Sequence, residues 1–128
     1  MKFNLRTLSA LLLIGASLAA ACGSSSPASP AAKMKGDAAA GKTKFDSTCV
    51  SCHGPDAKGI PGLGKDMTTS TFIKSTGDDA LVAFITKGRP ASDPANTTKV
   101  DMPPKGGNPS FSEKDLYDVV AFLRTLNK

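Results

Sequence analysis

Three side chains that can hold a metal cofactor lie within five positions of one another: Cys49, Cys52 and His53. Their order and spacing, C-x-x-C-H, form the pattern that attaches haem covalently. A two-residue gap lets one helical turn present both sulfurs along the edge of a porphyrin, where each can add to one vinyl group. The imidazole that follows can then bind the iron. The motif therefore predicts one covalent haem c, with His53 as the first axial ligand of its iron.

Three competing interpretations of this motif remain open. A thioredoxin-like redox pair would need a strand before it and a βαβ context, and no strand pattern lies nearby. A zinc site would need a fourth ligand, but His53 is the only histidine, and the remaining cysteine, Cys22, lies near the N-terminus. The pattern can also occur by chance in an unrelated exported protein. Haem attachment is the interpretation that uses all three side chains.

The first 21 residues have the pattern of an export signal. Lys2 and Arg6 precede a run of small and apolar residues from Leu8 to Ala21. That run is too short to remain in a bilayer as a spanning helix. Removing residues 1–21 leaves 14 basic and 11 acidic side chains, a net charge of +3. Two ionised haem propionates would bring this to about +1, so the charge gives no support for nucleic-acid binding.

Cys22 follows this segment directly, with three alanines before it and Gly23 after it. The arrangement resembles the lipobox of bacterial lipoproteins, in which the cysteine is acylated and becomes the new N-terminus. The lipobox usually has Leu, Val or Ile at the position of Ala19. The resemblance implies that a lipid on Cys22 anchors the protein on the periplasmic or cell-surface side of a bacterial membrane, inner or outer. Ordinary cleavage near this position is the alternative.

The remaining chain divides by composition into a tether and a domain. Residues 22–35 are small and polar, with two prolines and no apolar periodicity, which predicts a disordered tether. Such a coil spans roughly 20 Å on average and about 45 Å when drawn out. Residues 36–128 are expected to form one domain. Its apolar core alone would be marginal, and a covalent haem would complete it.

The patterns within this domain are helical, which predicts an all-α fold. Asp37 can cap a first helix that runs to about Thr48. Gly41 within this helix costs about 1 kcal/mol relative to alanine, which suggests a close helix contact there. A second helix is predicted at Asp78–Lys87, ending at Gly88. The last helix follows the cap residue Ser112, with Asp115 at its third position. Its apolar stripe consists of Leu116, Val119, Val120, Leu123 and Leu126.

The loop from Gly88 to Phe111 contains five prolines and little apolar sequence. A loop of this length needs a function, and closing over the second face of the haem would be one. Met102 lies in it, and the two prolines that follow stiffen the backbone that would present its sulfur to the iron. Met67, only fourteen residues past His53, is a second candidate. A lysine amine could also take this position, or the iron could have no second protein ligand.

Taken together, these residues resemble the class I, single-haem c-type cytochromes, small helical electron carriers of bacterial periplasms and mitochondria. The resemblance covers residues 36–126 and depends on the haem motif and on Met102 before Pro103. It implies a cytochrome c fold, in which three to four short helices and long loops surround one covalent haem. It also implies that Met102 binds the iron opposite His53.

Further positions match the family's pattern residue by residue. The segment Pro61-x-Leu63 implies that the Pro61 carbonyl accepts a hydrogen bond from the distal nitrogen of His53, and that Leu63 packs on the haem ring. The family's first-helix glycine and its aromatic positions fall on Gly41, Phe45 and Phe122. The chain has no tryptophan to cover the haem propionates. Arg89 is a candidate for holding them.

The expected function is one-electron transfer without catalysis, by a monomer tethered to a membrane. The expected partners are redox proteins that donate and accept electrons, and the membrane itself through the lipid. Four loop lysines either ring the exposed haem edge and steer acidic partners or are ordinary solvated surface: Lys58, Lys65, Lys99 and Lys105. Two further functions stay open. The domain could be a haem-based gas or redox sensor, or an electron-accepting subunit of a larger oxidoreductase.

Overall fold

The computed structural model describes residues 34–128. The predicted export signal, the lipidation of Cys22 and the tether as far as residue 33 lie outside the described residues. These three therefore stay predictions.

The described residues contain five α-helices, one π-helical turn and one 3₁₀ turn. In chain order they are α1 (Ala38–Lys44), the π turn (Phe45–Cys49), α2 (Val50–His53), α3 (Thr71–Ser75), α4 (Asp78–Lys87), the 3₁₀ turn (Pro104–Gly107) and α5 (Glu113–Leu126). Within residues 34–128 the only β-type pairing is an isolated antiparallel bridge between Arg89 and Met102. The all-α prediction is therefore confirmed.

Side-chain caps determine where α1 and α5 begin. Asp37 Oδ1 accepts the N–H groups of Ala39 and Ala40 at 2.8 and 3.2 Å, so α1 starts where the sequence predicts. The bonds from Ala40 and Ala39 lower the pKa of the Asp37 carboxyl. At α5, Ser112 and Asp115 cap each other reciprocally, and the Ser112 N–H donates to Asp115 Oδ2 at 2.8 Å. Both predicted caps are present.

The first helical segment is longer than the sequence predicts. Instead of ending near Thr48, it continues through the π turn and α2 to His53. In the π turn the Val50 N–H donates to the carbonyl of Phe45, five residues earlier. This wider turn changes the direction of the side chains that follow, as π turns at functional sites often do. The cysteine motif therefore begins within the π turn and ends in α2.

α1 and α5 pack with their backbones very close together. A Cβ atom added to Gly41 would lie 1.8 Å from the carbonyl oxygen of Asp118, so only glycine fits there. At the start of the π turn, which continues α1 directly, the centroids of the Phe45 and Phe122 rings are 5.4 Å apart, with a tilt of 57°. The close helix contact expected at Gly41 is confirmed.

The core lies between this helix pair and α4. Its buried apolar side chains are Phe45, Ala57, Ile73, Leu81, Val82, Ile85, Phe111, Leu116, Tyr117, Val119, Val120 and Leu123. Four of the five residues predicted for the stripe of α5 are among them, and Leu126 packs at the edge. No helix of the described region is long and apolar enough to span a membrane.

A candidate cofactor cavity

A cavity of about 540 Å³ opens beside α2, and residues predicted from separate stretches of sequence line it together. Its volume lies within the range of roughly 300–1,000 Å³ that is typical of small-molecule and cofactor sites. Its walls include Cys49, Cys52, His53, Leu63 and Met102. The structure thus brings into one cavity all but one of the predicted site residues that it describes. Pro61 does not line the cavity.

The two cysteines of the motif are half-buried. Burial, and secondarily the neighbouring thiol of Cys52, raises the pKa of Cys49 to about 11. Cys49 is therefore protonated at neutral pH, and this environment opposes the reactive thiolate that a redox cysteine pair uses. A thioether carries no charge, so the same apolar environment does not oppose a covalent bond to a porphyrin.

The imidazole of His53 has a defined tautomer. Its Nδ1 lies 3.0 Å from the carbonyl oxygen of Lys65. A carbonyl only accepts hydrogen bonds, so Nδ1 carries the proton and Nε2 keeps a free lone pair for a metal. Burial lowers the pKa of His53, and the bond to Lys65 acts in the opposite direction. The net lowering favours the neutral imidazole, which is the form that binds iron.

The acceptor at His53 corrects the expectation for Pro61, whose carbonyl was predicted in this position. The chain turns directly after Ile60, because the N–H groups of Leu63 and Gly64 both donate to the Ile60 carbonyl, at 2.9 and 3.0 Å. The turn carries Pro61 away and brings Lys65 beside the imidazole. Gly64 makes this approach possible, since a Cβ atom there would lie 2.1 Å from the Cys52 carbonyl oxygen.

Met102 is held by its backbone against the end of α4. Its N–H donates to the Arg89 carbonyl and its carbonyl accepts the Arg89 N–H, both at 2.8 Å. A Cβ atom on Gly88 would lie 2.3 Å from the Met102 carbonyl oxygen, so a glycine permits this pairing. The Met102 side chain is half-buried and packs against the core. The position of its sulfur therefore depends on α4.

Met67 also lines the cavity, so the structure contains both thioethers that the sequence offers as ligands. Its N–H donates to the Ala57 carbonyl at 2.8 Å, and its own carbonyl accepts the Asn127 side-chain amide at 2.8 Å. Met67 thus belongs to the loop that follows His53 directly. Met102 belongs to a different segment, anchored on α4.

A buried asparagine that the sequence analysis missed organises the loop before Met102. Asn96 is 5% exposed. Its Nδ2 donates to the carbonyls of Pro90 and Val100 at 3.1 and 2.7 Å, and its Oδ1 accepts from Thr98 and Lys99 at 3.0 and 3.1 Å. A long loop poor in apolar residues must satisfy its backbone with polar side chains, and that requirement could have indicated this asparagine.

Comparison with known proteins identifies the chain. Residues 38–127 match the sequence model of the family cytochrome c. Cytochrome c-555 of Chlorobaculum thiosulfatiphilum is 34% identical over 87 residues, which cover 68% of this chain and 93% of that protein. Cytochrome c-554(547) of Halothiobacillus neapolitanus is 34% identical over 98 residues, which cover 71% of this chain and 98% of that protein. The CcoP subunit of the cbb3-type cytochrome c oxidase of Rhodobacter capsulatus is 34% identical over 98 residues, covering 76% of this chain and 31% of the subunit.

These matches and the cavity define a haem-based electron carrier. The chain belongs to the cytochrome c family, and the predicted resemblance to its class I members is confirmed. The family's cofactor is one covalent haem c with its iron. The cavity fits this cofactor, because it joins two thiols at the required spacing, a neutral imidazole with a free Nε2 and two thioether side chains.

Proposed function

We propose that this protein is a one-electron carrier whose haem iron is bound by His53 and Met102. We propose further that a lipid on Cys22 holds it at the exported face of a bacterial membrane. Bound haem c supplies a one-electron change of its iron between the ferrous and ferric states. The residues of the chain attach the cofactor, determine its axial ligands and limit access to it.

The covalent anchors in this proposal are Cys49 and Cys52. Their support is the motif spacing and their common position in the cavity wall. His53 is the first axial ligand. The carbonyl of Lys65 fixes its tautomer and ring orientation, and such a bond also raises the basicity of the ligating nitrogen. Leu63 lines the same cavity and would pack on the ring.

For the second ligand the structure favours Met102 over Met67. A second axial ligand must approach the iron from the face opposite His53. Met67 is hydrogen-bonded to Ala57, in the loop that follows His53, whereas Met102 is carried by the segment paired with Arg89. A soft thioether favours ferrous iron and raises the reduction potential relative to two histidines. It also leaves no coordination position for a substrate, which agrees with a carrier that is not an enzyme.

The observation that carries the proposal is that one cavity contains the C-x-x-C-H motif and Met102. The test is the visible spectrum of the reduced holoprotein before and after carbon monoxide is added. Unaltered protein is expected to be low-spin and unchanged by the gas. Met102→Ala should retain covalent haem but form a carbonyl complex.

Met67→Ala is the matched control, since it removes the second cavity thioether and should stay inert to carbon monoxide. If Met67→Ala forms the carbonyl complex and Met102→Ala does not, the ligand assignment is reversed. If the unaltered protein forms the complex rapidly, a haem-based sensor replaces the carrier.

The membrane anchor needs a separate experiment because Cys22 lies outside the described residues. We expect the full-length protein to incorporate radiolabelled palmitate and to sediment with membranes. Cys22→Ser should abolish the labelling. An unlabelled but exported wild-type protein would instead indicate ordinary cleavage nearby.

The similarity to CcoP favours one competing function, that of an electron-accepting subunit of a larger oxidoreductase. The similar region covers only 31% of that subunit, whereas it covers 98% of cytochrome c-554(547). Isolation of the tagged full-length protein from its native membranes separates the two cases. A carrier is recovered alone, and a subunit is recovered with stoichiometric partners.

A further inference from the structure

The guanidinium of Arg89 forms part of the cavity wall in an unusual environment. Its side chain is 18% exposed. Its Cζ lies 4.6 Å from the ring centroid of Phe84 and 5.3 Å from that of Phe72, and these two rings meet edge to face. Cation–π contacts on two rings hold the planar group in place. A fixed positive charge therefore borders the cavity.

One buried donor of this group, Nε, lacks a hydrogen-bond acceptor in the described part of the chain. Within residues 34–128, Arg89 Nε is the only buried side-chain nitrogen or oxygen without a hydrogen-bond partner. Asp93 Oδ2 lies 3.3 Å from Nε, close enough to balance charge, but the contact is not a hydrogen bond. An arginine cannot lose its proton, so leaving one of its N–H donors unpaired in a buried site is costly. An arginine in this condition indicates that its acceptor belongs to the ligand of the cavity.

The chemistry of that acceptor follows from the shape of the guanidinium. Its planar fork of donors matches a carboxylate, and arginine–carboxylate pairs are frequently bidentate. Haem c carries two propionate carboxylates and no other anionic side groups. We propose that Arg89 binds one of these propionates, with the unpaired Nε as one of the donors, while Asp93 balances the remaining charge of the guanidinium group. This inference depends on the proposed function, because it takes haem to be the ligand of the cavity.

Arg89 would then act through both its backbone and its side chain. Its peptide group pairs with Met102 through two hydrogen bonds, and its side chain binds the propionate. Arg89 is thus a positioning residue that connects the ligand segment to the edge of the cofactor. A fixed cation disfavours the ferric state, which has one more positive charge than the ferrous state. Arg89 therefore raises the reduction potential.

The test compares Arg89→Leu with Lys87→Leu in the full-length holoprotein. Each variant loses one positive charge, but Lys87 is exposed and does not line the cavity. Leucine at position 89 can still pack on the two rings, and the peptide pairing with Met102 is kept. We expect Arg89→Leu to shift the one-electron equilibrium toward the ferric form by about tenfold, which is about 59 mV. Lys87→Leu should shift it by less than about twofold. Equal shifts in the two variants, or no shift at position 89, would overturn the proposal.

A spectroscopic measurement reports on the propionate itself. The propionate bending bands in the resonance Raman spectrum respond to hydrogen bonding at the carboxylate. One of them is expected to move in Arg89→Leu and to stay unchanged in Lys87→Leu. Arg89→Lys, which restores the cation, should recover part of the lost potential. If Arg89→Leu does not accumulate as holoprotein, Arg89→Gln takes its place in both measurements. Unchanged propionate bands would refute the contact.

The outcomes separate this inference from the proposed function. A variant at position 89 that stays low-spin and inert to carbon monoxide, with unaltered potential and propionate bands, refutes the role of Arg89 and leaves the carrier intact. Rapid formation of a carbonyl complex by the unaltered protein refutes the proposed carrier function, whatever the variants at position 89 show.

Discussion

Two regions of the molecule are stabilised in different ways. The helical frame, which consists of α1, the π turn and α5, is held by backbone contact at Gly41 and by the paired rings of Phe45 and Phe122. The ligand loop, residues 88–111, is held chiefly by hydrogen bonds, from Asn96 and from the pairing of Arg89 with Met102. Apolar burial resists opening over the whole interface, whereas a loop held by a few polar groups can open locally at lower cost.

This difference agrees with the roles of the two regions. The frame leads through the π turn into the cysteine motif, so it determines the position of His53. The ligand loop carries Met102. We expect damage to the frame to reduce the global stability of the protein, and damage to the ligand loop to make that loop open locally. The following predictions test that division.

The largest loss of stability is expected for Phe45→Ala. Phe45 is fully buried, and removing a buried phenyl ring typically costs about 3–5 kcal/mol. Phe72→Ala is the matched control, because Phe72 also lines the cavity but its side chain is 40% exposed. Urea unfolding of the two holoproteins gives the comparison. Similar losses of unfolding free energy in the two variants would show that Phe45 does not stabilise the frame more than an exposed residue of the cavity wall does.

Gly41→Ala tests the frame by the sign of its effect. Helix propensity alone predicts that the free energy of unfolding rises by about 1 kcal/mol when alanine replaces glycine. The contact with the Asp118 carbonyl predicts a loss of about 1–3 kcal/mol, because backbone cannot move aside as a flexible side chain can. Thr43→Ala, at an exposed site of the same helix, should gain a few tenths of a kcal/mol at most. If urea unfolding shows that Gly41→Ala is more stable than the unaltered protein, the two helices separate easily.

Asn96→Ala should loosen the ligand loop without loosening the frame. Its loss leaves backbone groups of the loop unpaired, at a cost of about 1–3 kcal/mol. Amide hydrogen exchange is expected to become about tenfold faster or more in residues 90–102 and to stay unchanged in α5. Thr97→Ala, at the exposed neighbouring position, serves as the control. Faster exchange in both regions would mean that they open as one unit.

The smallest effect concerns Asp115, which joins the two helices of the frame. Lys44 Nζ lies 2.7 Å from its carboxylate. This bond, with the bonds from Ser112, lowers the pKa of Asp115 from 3.8 to about 2. Because the folded pKa is the lower one, the stabilisation is fully present above about pH 4 and disappears as the pH falls through about 2.

Asp115→Asn should therefore be less stable than the unaltered protein at pH 7, and the difference should close between about pH 4 and 2. Urea midpoints across this range measure it. Asp46→Asn, which removes an exposed ion pair with Lys42 within the first helical segment, is the control and should change little at any of these pH values. A constant difference for Asp115→Asn would indicate a loss of packing rather than of charge.

The haem motif, the beginnings of α1 and α5, the bounds of α4 and the close contact at Gly41 could all be predicted from the sequence. Most of these features depend on interactions between residues that are close in sequence. The contact at Gly41 could be predicted because a glycine within a helix is favoured only where another backbone comes very close. A cap bonds to groups two or three positions away, and an apolar stripe repeats with the helix period. The four stripe residues of α5 that are buried show that this local information is sufficient for a helix.

The tertiary structure decided how the loops meet the site. Lys65 replaces Pro61 at His53 because two hydrogen bonds to Ile60 turn the chain, and no pattern at position 61 reveals that path. The environment of Arg89 depends on Phe72 and Phe84, which come from two different helices.

Sequence alone therefore predicts which residues could attach and bind the cofactor, since their types and spacing are local properties of the chain. Only the tertiary structure decided which backbone carbonyl orients the imidazole, and that Met67 and Met102 line the same cavity. These features depend on contacts between segments distant in sequence, and the packing of the whole domain determines them.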